Sequence, residues 1–169
     1  CANKLLSLDK LDEAVRERAN YTLAKSLLAN QNTGQAIEEF KRLTKAKNPE
    51  YAAEAQYTLA ELNFMAGKID EAEKIIHQIN ANPSSEYYLA KAFILWADIF
   101  KSKGNTLQAK QTLQSIIDNY EGDEELIETA RQKLISLTMQ QEKTQQEKQE
   151  KRQEQQEAVD EIIIVDEPR

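Results

Sequence analysis

The six residues Ala19-Asn20-Tyr21-Thr22-Leu23-Ala24 return almost unchanged as Ala55-Gln56-Tyr57-Thr58-Leu59-Ala60, 36 positions later. They return again with bulkier side chains as Ala92-Phe93-Ile94-Leu95-Trp96-Ala97, 37 positions further on. A weaker fourth copy starts at Ala130, at a spacing of 38, with Leu134 and Ile135 in the apolar places. A second block keeps the same interval: Gln35-Ala36-Ile37-Glu38-Glu39-Phe40, then Glu71-Ala72-Glu73-Lys74-Ile75-Ile76, then Gln108-Ala109-Lys110-Gln111-Thr112-Leu113. A period of this length belongs to a two-element unit that cannot bury its apolar stripe alone. Such units stack on their neighbours and share one continuous core.

Turn residues separate the two blocks of each unit: Asn30 to Gly34, Gly67-Lys68 and Gly104-Asn105. Glycine there can take the left-handed conformation that ends a helix. Asn48-Pro49, Asn82-Pro83 and Gly122-Asp123 punctuate the units themselves, and proline is tolerated at or just before a helix start. Ser85-Glu86 and Asp123-Glu124 offer an acceptor and an acidic residue at the next helix N-terminus. Each unit therefore reads as helix A, turn, helix B. Alanines at the crossings allow close backbone approach while Leu, Ile, Phe and Trp fill the space between, so Trp96 is expected in the core.

Leu59-Ala60, Gly67, Ala72, Ile76 and Pro83, with Trp96-Ala97, Gly104, Ala109 and Leu113, resemble the tetratricopeptide repeat. Leu23-Ala24, Ala36, Phe40 and Pro49 carry the first unit, whose turn glycine is displaced to Gly34. The family repeat is about 34 residues, so these slightly longer units imply looser turns between them. The resemblance covers residues 12 to 120 as three units and implies an all-α, right-handed superhelical solenoid ending in a long C-terminal helix. Ala2 to Leu8 looks like helix B of a truncated earlier unit. The repeat style, rich in Asn, Gln and Lys, looks like that of large repeat proteins from envelope-rich, Bacteroidetes-like bacteria.

In that family the A helices line a concave face where partner peptides lie. By alignment, the groove candidates are Arg18, Tyr21, Lys25 and Leu28 in the first unit, and Glu54, Tyr57, Glu61 and Phe64 in the second. In the third they are Lys91, Ile94, Asp98 and Lys101. Tyr21, Tyr57 and Phe64 would anchor a peptide or, alternatively, seal the surface between repeats. The family's carboxylate-clamping asparagines are not reproduced, since Lys25, Glu61 and Asp98 occupy the corresponding places. The resemblance implies a scaffold or adaptor for a protein or peptide, with no cofactor and no catalytic or metal residues.

Composition agrees with helices and narrows the partners. Charged residues make up 30% of the chain, while four glycines and three prolines leave little for a sheet of tight turns. A net charge of −7 disfavours nucleic acid, whose recognition needs a basic face. His77 is the one histidine, on a helix B between Ile76 and Ile79, and is expected at the surface with no cysteine nearby to share a metal. Acidic pairs such as Asp70-Glu71 and Glu124-Glu125 have the look of solvated helix starts. The four glycines form no phosphate-binding loop, and no nucleophile–base set is credible, so an enzyme is not expected.

Residues 1–139 read as the repeats, a partial leading helix and a cap; 140–160 as a polar arm; and 161–169 as an apolar tail. The capping stripe runs through Leu126, Ile127, Ala130, Leu134, Leu137 and Met139. From Gln140 to Glu157 there is no apolar residue, so a lone polar helix is expected, with disorder as the competitor and no coiled coil. Ile162-Ile163-Ile164-Val165 could add to a partner as a strand, drop into a groove (including that of a second copy, hence self-association), or stay a loose tail.

Cys1 precludes an internal disulfide, being the one cysteine. A leading cysteine resembles the start of a processed bacterial lipoprotein, but Ala2-Asn3-Lys4-Leu5-Leu6 reads as helix and not as a flexible tether. A fragment boundary is the preferred expectation. A lipid-anchored envelope-assembly module and a non-catalytic domain of a larger enzyme are the alternatives. Membrane association is expected only through a lipid on Cys1, and location is left open, with a slight lean to periplasm or outer membrane over cytoplasm.

Overall fold

A computed structural model describes residues 2–165, with side-chain surroundings described for 13–155. Cys1, with its lipidation reading, and residues 166–169 lie outside the described residues. The described chain is seven helices with no strand: α1 (Ala2–Ala29), α2 (Thr33–Leu43), α3 (Pro49–Met65), α4 (Ile69–Ala81), α5 (Glu86–Ser102), α6 (Thr106–Asn119) and α7 (Glu124–Val165). It is an all-α helical solenoid. Helices α1, α3, α5 and α7 are the A helices, and α2, α4 and α6 the B helices.

The three A-to-B turns share one backbone solution. Lys68 N–H reaches Asn63 O at 2.9 Å and Gly67 N–H reaches Phe64 O at 2.9 Å. The same crossed pair closes α5 through Asn105 to Phe100 (2.8 Å) and Gly104 to Lys101 (3.0 Å). At the end of α1 it runs from Asn32 to Leu27 (2.9 Å) and from Gln31 to Leu28 (3.0 Å). These are Schellman closures, which need one left-handed residue each. Gly67 (φ 73°) and Gly104 (φ 78°) supply it in two turns, and Gln31 (φ 62°) in the first. Gly34, which the spacing nominated, already lies inside α2.

Helix starts are less uniform. Asn48 accepts from the N–H groups of Glu50 (3.0 Å) and Tyr51 (3.4 Å), with Pro49 in the first helical position. Asp123 accepts from Leu126 N–H at 3.0 Å. Ser85 stands at the N-cap of α5, but its hydroxyl makes no capping hydrogen bond.

Each core cluster joins one A–B pair to the A helix that follows. Ala24, from α1, and Ala36, Phe40 and Leu43, from α2, pack with Ala55 and Leu59 of α3. Ala72, Ile76 and Ile79 pack with Ala92 and Leu95, flanked by Tyr88 and Trp96. Ala109, Leu113 and Ile116 pack with Ala130 and Leu137, flanked by Leu126 and Leu134. In every B helix the buried triad has the spacing Ala, four residues on, three residues on, and each member is at most 3% exposed. That spacing holds three side chains on one helical face, and burying each large one contributes about 1.5–3 kcal/mol. Trp96 packs against the middle cluster as expected, although its indole N–H is buried without an acceptor.

Two expectations need correction. Ala2 to Leu8 is not a separate helix B, because α1 is continuous from Ala2 to Ala29. No Gly or Pro precedes Gly34 to interrupt it. Ile135 and Met139 do not belong to the packed stripe, being 59% and 64% exposed. They sit on the face of α7 that a following B helix would cover. In the chain by itself the backbone of α7 stays helical through Ile162 to Val165. The polar arm continues α7 without a break, and Lys110 donates to Gln141 Oε1 at 2.7 Å before every side chain from Glu142 to Gln155 is exposed.

Candidate partner-binding surface

Successive A helices touch each other (α3 with α5, α5 with α7), while no B helix makes a comparable contact with the next B helix. The stack therefore curves toward the A helices, and their outer residues form its inner face. Tyr21 donates to Glu54 Oε2 at 2.7 Å from α1 to α3, and Lys25 forms an ion pair with the same carboxylate. Glu54 of the second unit thus gathers two donors from the first. Tyr88 of α5 also acts on the Glu54 carboxyl and helps to lower it. Burial alone would raise the Glu54 carboxyl. Lys25, Tyr21 and Tyr88 outweigh it and hold the group below the ordinary value. The bond to Glu54 raises Lys25 against the effect of its own burial.

The next rung is aromatic. Lys91 of α5 lies 4.4 Å from the ring centroid of Tyr57, 5.6 Å from that of Tyr87 and 5.7 Å from that of Tyr88. Tyr57 is buried and donates to Glu61 Oε1 at 2.8 Å. Burial, then the Glu61 bond, pushes the Tyr57 hydroxyl far above its usual range. Burial and the Glu54 carboxylate do the same for Tyr88. On the last rung Lys133 of α7 donates to both oxygens of Asp98, at 2.7 and 2.9 Å.

The structure brings Tyr21, Lys25 and Glu54 together, and likewise Tyr57, Glu61 and Lys91. It pairs Asp98 with a lysine outside the candidate set. Ile94 is buried in the cluster of the third unit, and Phe64 and Leu28 are partly buried against their own clusters. Arg18 is exposed at the edge of a cleft of about 500 Å³ lined by Glu13, Ala14, Glu17, Lys47, Asn48 and Tyr51. Lys101 is exposed and borders a smaller cleft beside Asp98 and Lys133. Ile162 to Val165 are helical in backbone, and their side chains lie outside the described residues.

Alignment had not picked out Tyr51, Tyr87, Tyr88 or Lys133. Tyr51 stacks on Tyr21 with centroids 4.4 Å apart and planes 12° apart. Tyr51 and Tyr88 occupy the same place in successive units, 37 residues apart, so the periodicity contained that signal. His77 is exposed, its ring meeting Trp96 edge-on at 4.8 Å. Among the described residues no group of three or more His, Cys, Asp or Glu could hold a metal ion. No described helix is long and apolar enough to cross a membrane.

Two family models, each described as Tetratricopeptide repeat, match this architecture, one over residues 27–93 and the other over 86–122. Together they run from residue 27 to 122 of 169, more than half the chain, and their junction falls at the start of α5. The chain belongs to the tetratricopeptide repeat family. Repeats of this family are generally protein-interaction modules. The comparison with curated proteins finds no match. Within this tetratricopeptide repeat stack the A-helix face is largely self-paired, which leaves a short set of groups available to a partner.

Proposed function

We propose that the chain is a scaffold or adaptor that holds a partner peptide across the A-helix face, with Lys91 as the polar anchor. The observation carrying this reading is the lysine's surroundings. Its ammonium rests on three tyrosine rings and has no carboxylate partner among the described residues. Every other charged group on this face that bridges two A helices is already paired. A cation held by ring faces keeps its hydrogen-bond donors for an incoming carboxylate, and such charge-assisted bonds contribute about 1.5–3 kcal/mol. Tyr87, which is exposed, supplies an apolar surface beside it for the same peptide.

Selecting peptides from a displayed random library against the whole chain tests this. Acidic sequences should be enriched, and Lys91→Ala should weaken their binding about tenfold or more, the equivalent of one lost charge-assisted bond. The thermal midpoint should barely move, because Lys91 is not a core residue. Enriched peptides without acidic residues, or binding indifferent to Lys91→Ala, would refute the assignment.

A further inference from the structure

The three A helices that follow a B helix bury the same stripe. Ala55 and Leu59 of α3 lie against α2, Tyr88, Ala92 and Trp96 of α5 against α4, and Leu126, Ala130 and Leu134 of α7 against α6; Tyr51, in the corresponding first place on α3, stacks on Tyr21 of α1. The equivalent stripe on α1, one period earlier, is Val15, Ala19 and Leu23. There it is bare: Val15 is 60% exposed, Leu23 48%, and Ala19 is exposed as well. The repeat itself specifies what fits this face. It is a B helix carrying alanine, then a large apolar residue four positions on, then another three further.

That sequence exists a fourth time. Gln35-Ala36, Phe40, Leu43; Glu71-Ala72, Ile76, Ile79; and Gln108-Ala109, Leu113, Ile116 are followed by Glu157-Ala158, Ile162, Val165. The preceding Gln or Glu is kept, and so are both intervals. The segment lies on the helical backbone of α7, where spacings of four and three place the three residues on one face. No A helix precedes it by a turn, because the polar arm separates it from the body. A B-type face is thus present at one end of the molecule and a vacant A-type face at the other.

We propose that residues 157–165 act as a detached B helix that docks on the Val15–Ala19–Leu23 stripe of a second copy of this chain. The same chain cannot use it. Gln141 makes the arm's contact with α6, and Ala158 lies 17 residues beyond, about 25 Å along a continuous helix that leads away from the stack. Reciprocal docking of two tails on two α1 helices closes as a symmetric pair and doubles the contact.

Light scattering on the full 169-residue chain at tens of micromolar should give twice the 19.4 kDa of one chain. Ile162→Glu on the tail and Leu23→Glu on the acceptor should each halve that mass. An equimolar mixture of the two variants should restore two-chain particles, since one holds an intact tail and the other an intact stripe. Val15→Glu serves as a second acceptor variant, and circular dichroism checks that each variant keeps its helix content. Lys91→Ala should leave the mass unchanged. A single-chain mass for the unaltered protein, or a two-chain mass that survives Leu23→Glu and Val15→Glu, overturns the proposal.

Discussion

Gln31 carries a left-handed backbone (φ 62°) where the two later units have Gly67 and Gly104. A side chain in that conformation costs roughly 1 kcal/mol relative to glycine. Gln31→Gly should therefore raise stability by about 1 kcal/mol in urea unfolding, with the slope unchanged; a fall would mean that the Gln31 side chain has contacts that repay the strain. Titration makes a second test at this scale. Tyr57 and Tyr88 are raised above their ordinary 10.0, and Lys25 above 10.5, so each supports the fold below those values and loses that support as pH rises. Glu54 is lowered from 4.5, so its support is present above that value and lost as pH falls through the folded one. Melting temperature should drop above pH 10 and below pH 4.5. Tyr57→Phe should flatten the alkaline drop, since the unfolded chain then has one phenol fewer to ionise, and an unchanged slope would contradict this account.

Along α7 the same helix passes through two physical regimes. Ala130 and Leu137 are buried against α6, whereas Glu142 to Gln155 are exposed on every side and are held by their own backbone ladder and Gln, Glu, Lys and Arg propensities. Amide exchange should be slow around Ala130 to Leu137 and faster by orders of magnitude from Glu142 onward. Uniform protection through the arm would show that something outside the described contacts stabilises it. The helical reading of the arm came from composition, but the exposure of Ile135 and Met139 did not. Their periodicity resembles that of a packed residue, and only the missing B helix after α7 leaves them bare. Likewise the continuity of α1 was not legible, because a mixed polar and apolar helical segment such as Ala2 to Leu8 has the same pattern whether it ends a unit or extends one. Helix pairing and the B-helix triads were legible because alanine and its two apolar companions recur at fixed intervals. The groove was less so: Tyr21 with Glu54 and Asp98 with Lys133 pair across 33 and 35 residues, and no local pattern states that two candidates will satisfy each other.

As a whole the molecule is a stack whose clusters each depend on the helix that follows, so its stability is a chain of neighbour terms and not one core. Among the described residues no helix packs on Val15 and Leu23 of α1, and α7 continues into solvent as the arm. Between them sits Trp96, the one tryptophan, its ring edge-on to His77 of α4 and stacked on Phe100 with centroids 5.4 Å apart. An indole placed at that seam makes the protein its own optical gauge. Its emission follows the joint between the second and third units alone, while ellipticity sums every helix, so the two signals separate the parting of neighbours from the fraying of ends.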